Sequence, residues 1–322
     1  MIFVYLLLII GFSILLIKAT DIVIDNLQQL TEVTKVGKFA TASLLLAFAT
    51  SLPELVVGVT AAIAGNPSLA LGAILGSNIV DISLVIGGAA VIGGSFSVAG
   101  EWLKIDIFSV FLAGVMPLIL LMDGQLSRAD GLILLFIYGL YNFGLLRKKS
   151  DRRIGRQGRL LQRMMIPGTR RKMNQSLAWL FLGAAMVIFS ADMIVKTGVS
   201  LATILKAPVF LIGLFLVAIG TSLPELSLEI EAVKKKQIGM ALGDLFGSVV
   251  VNSTLILGIV ALINPIKLAG GLNAYLLAAA AFGVMFLIFW QFVKTKKKLE
   301  RWEGVVLMLV YLMFAAMEWL KK

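Results

Sequence analysis

The chain contains no cysteine and no histidine. The first absence excludes disulfides, thiolate metal sites and thiol nucleophiles. The second excludes histidine triads and histidine proton relays. Carboxylates, Lys and Arg are the only ionisable groups left for buried work. No recognised catalytic motif accompanies them, so an enzyme is the weakest reading and no cofactor is expected. What fills the chain instead is apolar. Of 322 residues, 59% are hydrophobic and the mean hydropathy is +0.98, where soluble domains have about 45–50% apolar residues. The class is an all-α polytopic membrane protein.

Apolar runs of about 17–25 residues can cross a bilayer as helices. Ten are expected, roughly over 2–18, 39–63, 68–93, 103–122, 129–146, 175–197, 207–231, 239–263, 272–293 and 304–320. Residues 1–17 have no basic stretch ahead of them and read as a retained first transmembrane helix rather than a signal peptide. Between the fifth and sixth runs lies the one long loop, 147–174, rich in Arg and Lys from Arg147 to Lys172. The positive-inside rule puts it in the cytoplasm and the N-terminus outside. On that assignment Lys35, Lys38, Lys104, Lys234 to Lys236 and Lys294 to Arg301 also fall inside. The outside keeps Arg128, Lys196, Lys206, Lys267, Lys321 and Lys322. The net charge of +11 thus reflects a cell-membrane topology and contact with lipid headgroups rather than nucleic acid.

One stretch occurs twice. Thr50-Ser51-Leu52-Pro53-Glu54-Leu55 returns letter for letter as Thr221-Ser222-Leu223-Pro224-Glu225-Leu226, 171 residues later. At the same offset Asp21 meets Asp192, Ala47 meets Ala218, Gly76-Ser77 meets Gly247-Ser248, and Asp81 meets Asn252. Arg128-Ala129-Asp130-Gly131 resembles Arg301-Trp302-Glu303-Gly304 at a slightly different offset. The chain therefore divides into a repeat over 1–146, the basic loop 147–174, and a second repeat over 175–322. Five crossings per repeat turn the second upside down relative to the first. In such transporters the site lies at the midplane where the halves meet.

A carboxylate beside a proline inside an apolar helix is doubly costly. A charge at the bilayer centre costs about 3 kcal/mol on insertion scales, and proline removes a helical hydrogen bond. Residues four apart share a helix face. Thr50 with Glu54, Thr221 with Glu225, Ser77 with Asp81 and Ser248 with Asn252 each place a hydroxyl one turn from a carboxylate or carboxamide. The ligand set is all oxygen, which suits hard cations such as Ca²⁺ and Na⁺. Taken singly, Ser77 and Ser248 are as readily structural, since membrane hydroxyls often bond their own helix.

At these residues the chain resembles the sodium/calcium exchanger family, the cation/calcium antiporters with two α-repeats. The resemblance implies alternating-access exchange of Ca²⁺ against Na⁺. It implies ion ligands at Glu54, Asp81, Glu225 and Asn252, surrounded by Thr50, Ser51, Ser77, Thr221, Ser222 and Ser248, with the carbonyls of Ala47 and Ala218. It also makes the first and sixth helices a sliding pair. The chain departs from the prokaryotic pattern in carrying the acid at Asp81 and the amide at Asn252, the reverse of the usual placement. Asp244 is an extra acid where Asn is common, and Val249 stands where the first repeat has Asn78. Glu229 and Glu231 are expected to pair with Lys234 to Lys236. Ca²⁺/H⁺ antiport and potassium-dependent exchange remain rivals, with Asp81 favouring sodium; a cation channel fits the inverted repeat poorly. The exchanger is expected to work as a monomer.

Overall fold

The computed structural model describes residues 2–34, 50–98, 106–149, 167–268 and 273–320. The expected site residue Ala47, the basic residues Lys35, Lys38 and Lys104, and most of the 147–174 loop lie outside them. The described chain is nearly all helix: α1 (Ile2–Thr34), α2 (Leu52–Ile63), α3 (Pro67–Gly93), α4 (Asp106–Leu120), α5 (Arg128–Lys149), α6 (Pro167–Leu205), α7 (Val209–Thr221), α8 (Leu223–Lys234), α9 (Ile238–Ile263), α10 (Asn273–Lys296) and α11 (Arg301–Leu320). Among the described residues α1, α3, α6, α9 and α10 are each long and apolar enough to cross a bilayer, and the bent pair α7–α8 makes a sixth span. The segments expected at 129–146 and 304–320 are helical as α5 and α11.

The burial pattern reverses that of a soluble protein. Phe3, Phe136, Phe143, Phe181 and Leu312 point outward, as lipid-facing side chains do. The apolar stretch of α3 is 94% buried, against 22% for α1, so α3 is the axis of the molecule. It crosses α7 backbone to backbone. A Cβ at Gly72 or Gly76 would run into the carbonyls of Phe210 or Leu214, and one at Gly213 into that of Leu69. Only glycine permits that approach. On the outside α1 lies along α6, with Phe12 edge-on to Phe189 at 6.1 Å and Gly183 against Ile22 and Val23.

Matched features recur near the 171-residue offset. Two-residue strands β1 (Phe96–Ser97), β2 (Gln125–Leu126), β3 (Ile266–Lys267) and β4 (Lys298–Leu299) form two antiparallel pairs, β1 with β4 and β2 with β3. The first joins the end of α3 to the start of α11, and the second joins the end of α9 to the start of α5. Each of those later helices opens on a side-chain cap. Asp130 accepts the Ser127 backbone N–H at 2.8 Å, and Glu303 accepts that of Glu300 at 2.8 Å. One residue further on, Gly131 packs on the Gly258 carbonyl and Gly304 on that of Gly87. The resemblance of Arg128–Gly131 to Arg301–Gly304 thus encodes a cap followed by a close helix crossing.

Candidate ion-binding site

Both copies of the repeated hexapeptide make the same break. Ser51 (φ −81°, ψ 6°) and Ser222 (φ −83°, ψ 5°) leave helical backbone, and α2 and α8 begin at the next residue. Proline in the first turn has no N–H to lose there. At Ser222 the chain bends by 42°. Glu54 and Glu225 consequently sit in the first turns of new helices, where the positive end of the helix dipole favours a carboxylate.

The other two positions also share a distortion. Asp81 opens a π-helical turn in α3 (Asp81–Val85), and Asn252 sits in the matching turn of α9 (Val251–Ile256). The hydroxyls of Ser83 and Thr254, 171 residues apart, each donate to the carbonyl four residues back, at Ile79 and Val250. They supply donors where the widened turn disturbs the ladder. Nothing in the apolar pattern announces such a turn.

The halves meet through these side chains. Ser77 donates to Glu54 Oε1 at 3.1 Å and shares a 2.6 Å hydrogen bond with Ser222, whose hydroxyl faces Asp81. Thr221 lies beside Glu54 and also donates to the Ala218 carbonyl at 3.3 Å. That carbonyl accepts the Ser222 N–H as well, so in this conformation it is engaged within its own helix. Asn252 Nδ2 donates to Asn78 Oδ1 at 3.3 Å, and Asn78 Nδ2 donates to Ser253 at 2.7 Å. Thr50 donates to Asp244 at 2.9 Å. Asn78 and Ser253 were not among the expected ligands. Asn78 joins Asn252 across the halves, and its signal in the sequence is an amide next to Ser77 in an otherwise apolar helix.

Glu54, Asp81, Glu225 and Asn252 are each at most 3% exposed. Glu54 Oε2, Asp81 Oδ1, Glu225 Oε2 and Asn252 Oδ1 have no hydrogen-bond partner, nor have the hydroxyls of Ser51 and Ser248. The ion pairs among the described residues leave all three acids without a Lys or Arg partner. A buried carboxylate in that state requires a cation or a proton. No three acidic side chains among the described residues converge as a carboxylate-only metal cluster. The unpartnered oxygens there are of mixed kind, carboxylate, amide and hydroxyl, a set that would suit a hard cation.

The two acids expected to pair with lysines separate. Glu231 does so, with Lys235 at 2.6 Å. Glu229 does not: it is 1% exposed and neither of its oxygens has a partner. On a helix, Glu229 follows the face of Glu225, while Glu231 lies well round toward the other side. Asp192 pairs with Lys196 at 2.8 Å, whereas Asp21 lines a cavity of about 530 Å³ between α1, α8 and the start of α9. Thr50, Lys235 and Gln237 also form part of that wall.

The family model for the sodium/calcium exchanger protein matches residues 4–147 and 175–320, both repeats without the basic loop. The chain belongs to the sodium/calcium exchanger family. It is 36% identical to the inner membrane protein YrbG of Escherichia coli K12 over 69% of this chain and 68% of that one. It is 26% identical to the sodium/calcium exchanger MaX1 of Methanosarcina acetivorans over 96% and 97%. The fold resembles a structure of the sodium-calcium exchanger NCX_Mj soaked with Na⁺ and Sr²⁺, with a TM-score of 0.65 at 26% identity, covering 98% of this chain and 99% of that one. The family is one of transporters rather than of enzymes.

Proposed function

We propose that this family member exchanges Ca²⁺ for Na⁺ across a cell membrane by alternating access. The observation that carries the reading is the set of donor-free oxygens on Glu54, Asp81, Glu225 and Asn252, buried where the two halves of the chain meet. Thr50, Ser51, Ser77, Thr221, Ser222 and Ser248 complete the shell, with the Ala47 and Ala218 carbonyls joining as the helices move. Ca²⁺ takes about 6–8 oxygens in irregular geometry, and this shell supplies that number. Three Na⁺ match its three negative charges, whereas one Ca²⁺ offsets two of them, and the two loads compete for one set of ligands.

The architecture that goes with this function is ten crossings in two inverted repeats, 1–146 and 175–322, with α5 and α11 as spans and the 147–174 loop cytoplasmic. The paired strands, matched caps and matched π-turns support that symmetry. On this topology the cavity beside α1 opens toward the cytoplasm, because Lys235 and Gln237 line it. The protein works as a monomer in lipid, since each chain carries both halves of its site.

The test is ⁴⁵Ca²⁺ uptake into proteoliposomes loaded with Na⁺, compared with choline loading, a pH jump and added K⁺. Electrogenic uptake that needs internal Na⁺ supports the sodium exchanger. Uptake driven by the pH gradient alone moves the protein to Ca²⁺/H⁺ antiport, with Asp81 among the proton sites. A requirement for K⁺ identifies the potassium-dependent variant. Glu54→Gln and Glu225→Gln are expected to abolish flux in folded protein, and near-normal transport by either would refute the ligand assignment.

A further inference from the structure

Five acidic side chains, Glu54, Asp81, Glu225, Glu229 and Asp244, are buried to 3% exposure or less around this interface, and only three of them belong to the ligand set above. The other two are Asp244 on α9 and Glu229 on α8. Glu229 is one turn beyond Glu225, on the face of α8 that packs against the second half of α3. On that face Leu226 closes on Gly88, and Val233 and the Ile230 carbonyl close on Gly93. The opposite face, with Pro224, Ser227, Leu228 and Glu231, lines the cavity. Glu229 is therefore enclosed by protein rather than snorkelling to water. Both of its oxygens lack a hydrogen-bond partner, and α8 packs against α9, the helix that carries Asp244.

Asp244 completes the picture from the other helix. Its Oδ1 accepts the Thr50 hydroxyl, and its Oδ2 has no partner. One turn along α9 the Ser248 hydroxyl is also unpartnered. Two buried carboxylates on packed helices, α8 and α9, without a Lys or Arg partner repel each other in a medium of low dielectric, and the repulsion becomes attraction once a cation lies between them. Thr50 joins this pair to the cavity, because it both lines the cavity and bonds Asp244.

We propose that Glu229 and Asp244 form a second cation site, one helical turn from the central ligands toward Lys234–Lys236, through which the exchanged hard cations pass between the cavity and the central site. The proposal rests on the exchanger reading and adds to it a staging position on the cytoplasmic side. Removal of one charged ligand is expected to weaken binding there at least about tenfold, the loss typical of one charge-assisted contact.

The test uses crystals of the whole protein soaked with Sr²⁺ alone or with Tl⁺ alone, the latter standing in for a monovalent ion. Anomalous density is expected both among Glu54, Asp81 and Glu225 and between Glu229 and Asp244. Signal from Sr²⁺ at the second position marks a divalent staging site, and signal from Tl⁺ only marks a monovalent one. Glu229→Gln should lose the second peak and keep the first. In proteoliposomes the same variant should raise the half-saturating Ca²⁺ concentration at the cytoplasmic face at least about tenfold, with the opposite face unchanged. Absence of the second peak with both ions in the wild type overturns the proposal, as does an unchanged cytoplasmic half-saturation in the variant. Loss of the central peak in the wild type would instead count against the exchanger reading.

Discussion

The crossing of α3 and α7 is where substitution should be least tolerated. A Cβ added at Gly72 would meet the Phe210 carbonyl oxygen first, then Leu214 N and Phe210 C at 3.0 Å. All three are backbone atoms, so no rotamer change relieves the clash, and the helices must separate. Overpacking costs about 1–3 kcal/mol where side chains can yield, and this site belongs at or above the upper end. Gly139 on α5 is the internal control, with nothing within 4 Å of its added methyl. Gly139→Ala should gain about 0.5–1 kcal/mol from helix propensity. The two alanine variants should therefore differ by about 3–4 kcal/mol or more. Unfolding of each purified variant by denaturant, followed through tryptophan fluorescence, measures that difference. Gly72→Ala protein that survives should also bind Ca²⁺ more weakly, because α3 carries Ser77, Asn78 and Asp81 while α7 carries Thr221. Equal midpoints for Gly72→Ala and Gly139→Ala would refute the close crossing.

Three other outcomes follow from contacts at the site and at its edge. Asp81→Asn combined with Asn252→Asp should transport at least about tenfold better than Asp81→Asn alone. The Asn78 amide has only to turn to donate to the new carboxylate, and Ser253 can donate back to its oxygen; equal loss in flux assays would show that the two positions are not counterparts. Asn78→Ala strands Asn252 Nδ2 and the Ser253 hydroxyl, and should cost about 1–3 kcal/mol per buried group left unsatisfied, read as a lower denaturation midpoint. The third concerns Glu300, outside the spans, which accepts from Lys296, Lys298 and Trp302 and is pulled down to about 2 from 4.5. A depressed carboxylate stabilises the fold fully above its unfolded value, so this contribution is present above about pH 4.5 and lost as pH falls through about 2. The Trp302 indole, 2.6 Å from Glu300, reports the change: its fluorescence should titrate near pH 2 in the wild type and not at all in Glu300→Gln.

The repeated hexapeptide was legible because polar residues in apolar helices are costly, and cost leaves a pattern. Glu54 with Glu225, Asp81 with Asn252, Ser77 with Ser248 and Ser51 with Ser222 pair by offset alone, and the structure brings Ser77 and Ser222, from different pairs, into a hydrogen bond. Asn78 and Ser253 escaped that logic because they break the symmetry: Val249 stands opposite Asn78, and the partner of Ser253 at the offset is Ile82. Glu229 departs from expectation for a different reason. Three lysines close by in sequence suggest an ion pair, but helical phase puts Glu229 on the same face as Glu225, turned away from them. The π-turns at Asp81 and Asn252 had no hydrophobic signature, since one extra residue per turn rotates a face without changing its composition. Their only trace was the paired hydroxyls Ser83 and Thr254.

The two short ladders have a mechanical consequence. One fastens the end of α3 to the start of α11, and the other fastens the end of α9 to the start of α5. The π-turned helices that carry Asp81 and Asn252 are thereby pinned, one by each ladder, as a spindle is held in its bearings. Among the described residues neither α1 nor α6 has a strand fastening of this kind. They press on the frame through smooth contacts such as Ser13 beside Gly220 and Gly198 beside Ile212. A stroke that exposes the ions first to one side and then to the other can therefore leave the spindle still and move only the outer pair, so the polar side chains gathered on α3 and α9 need not be rearranged at each turnover.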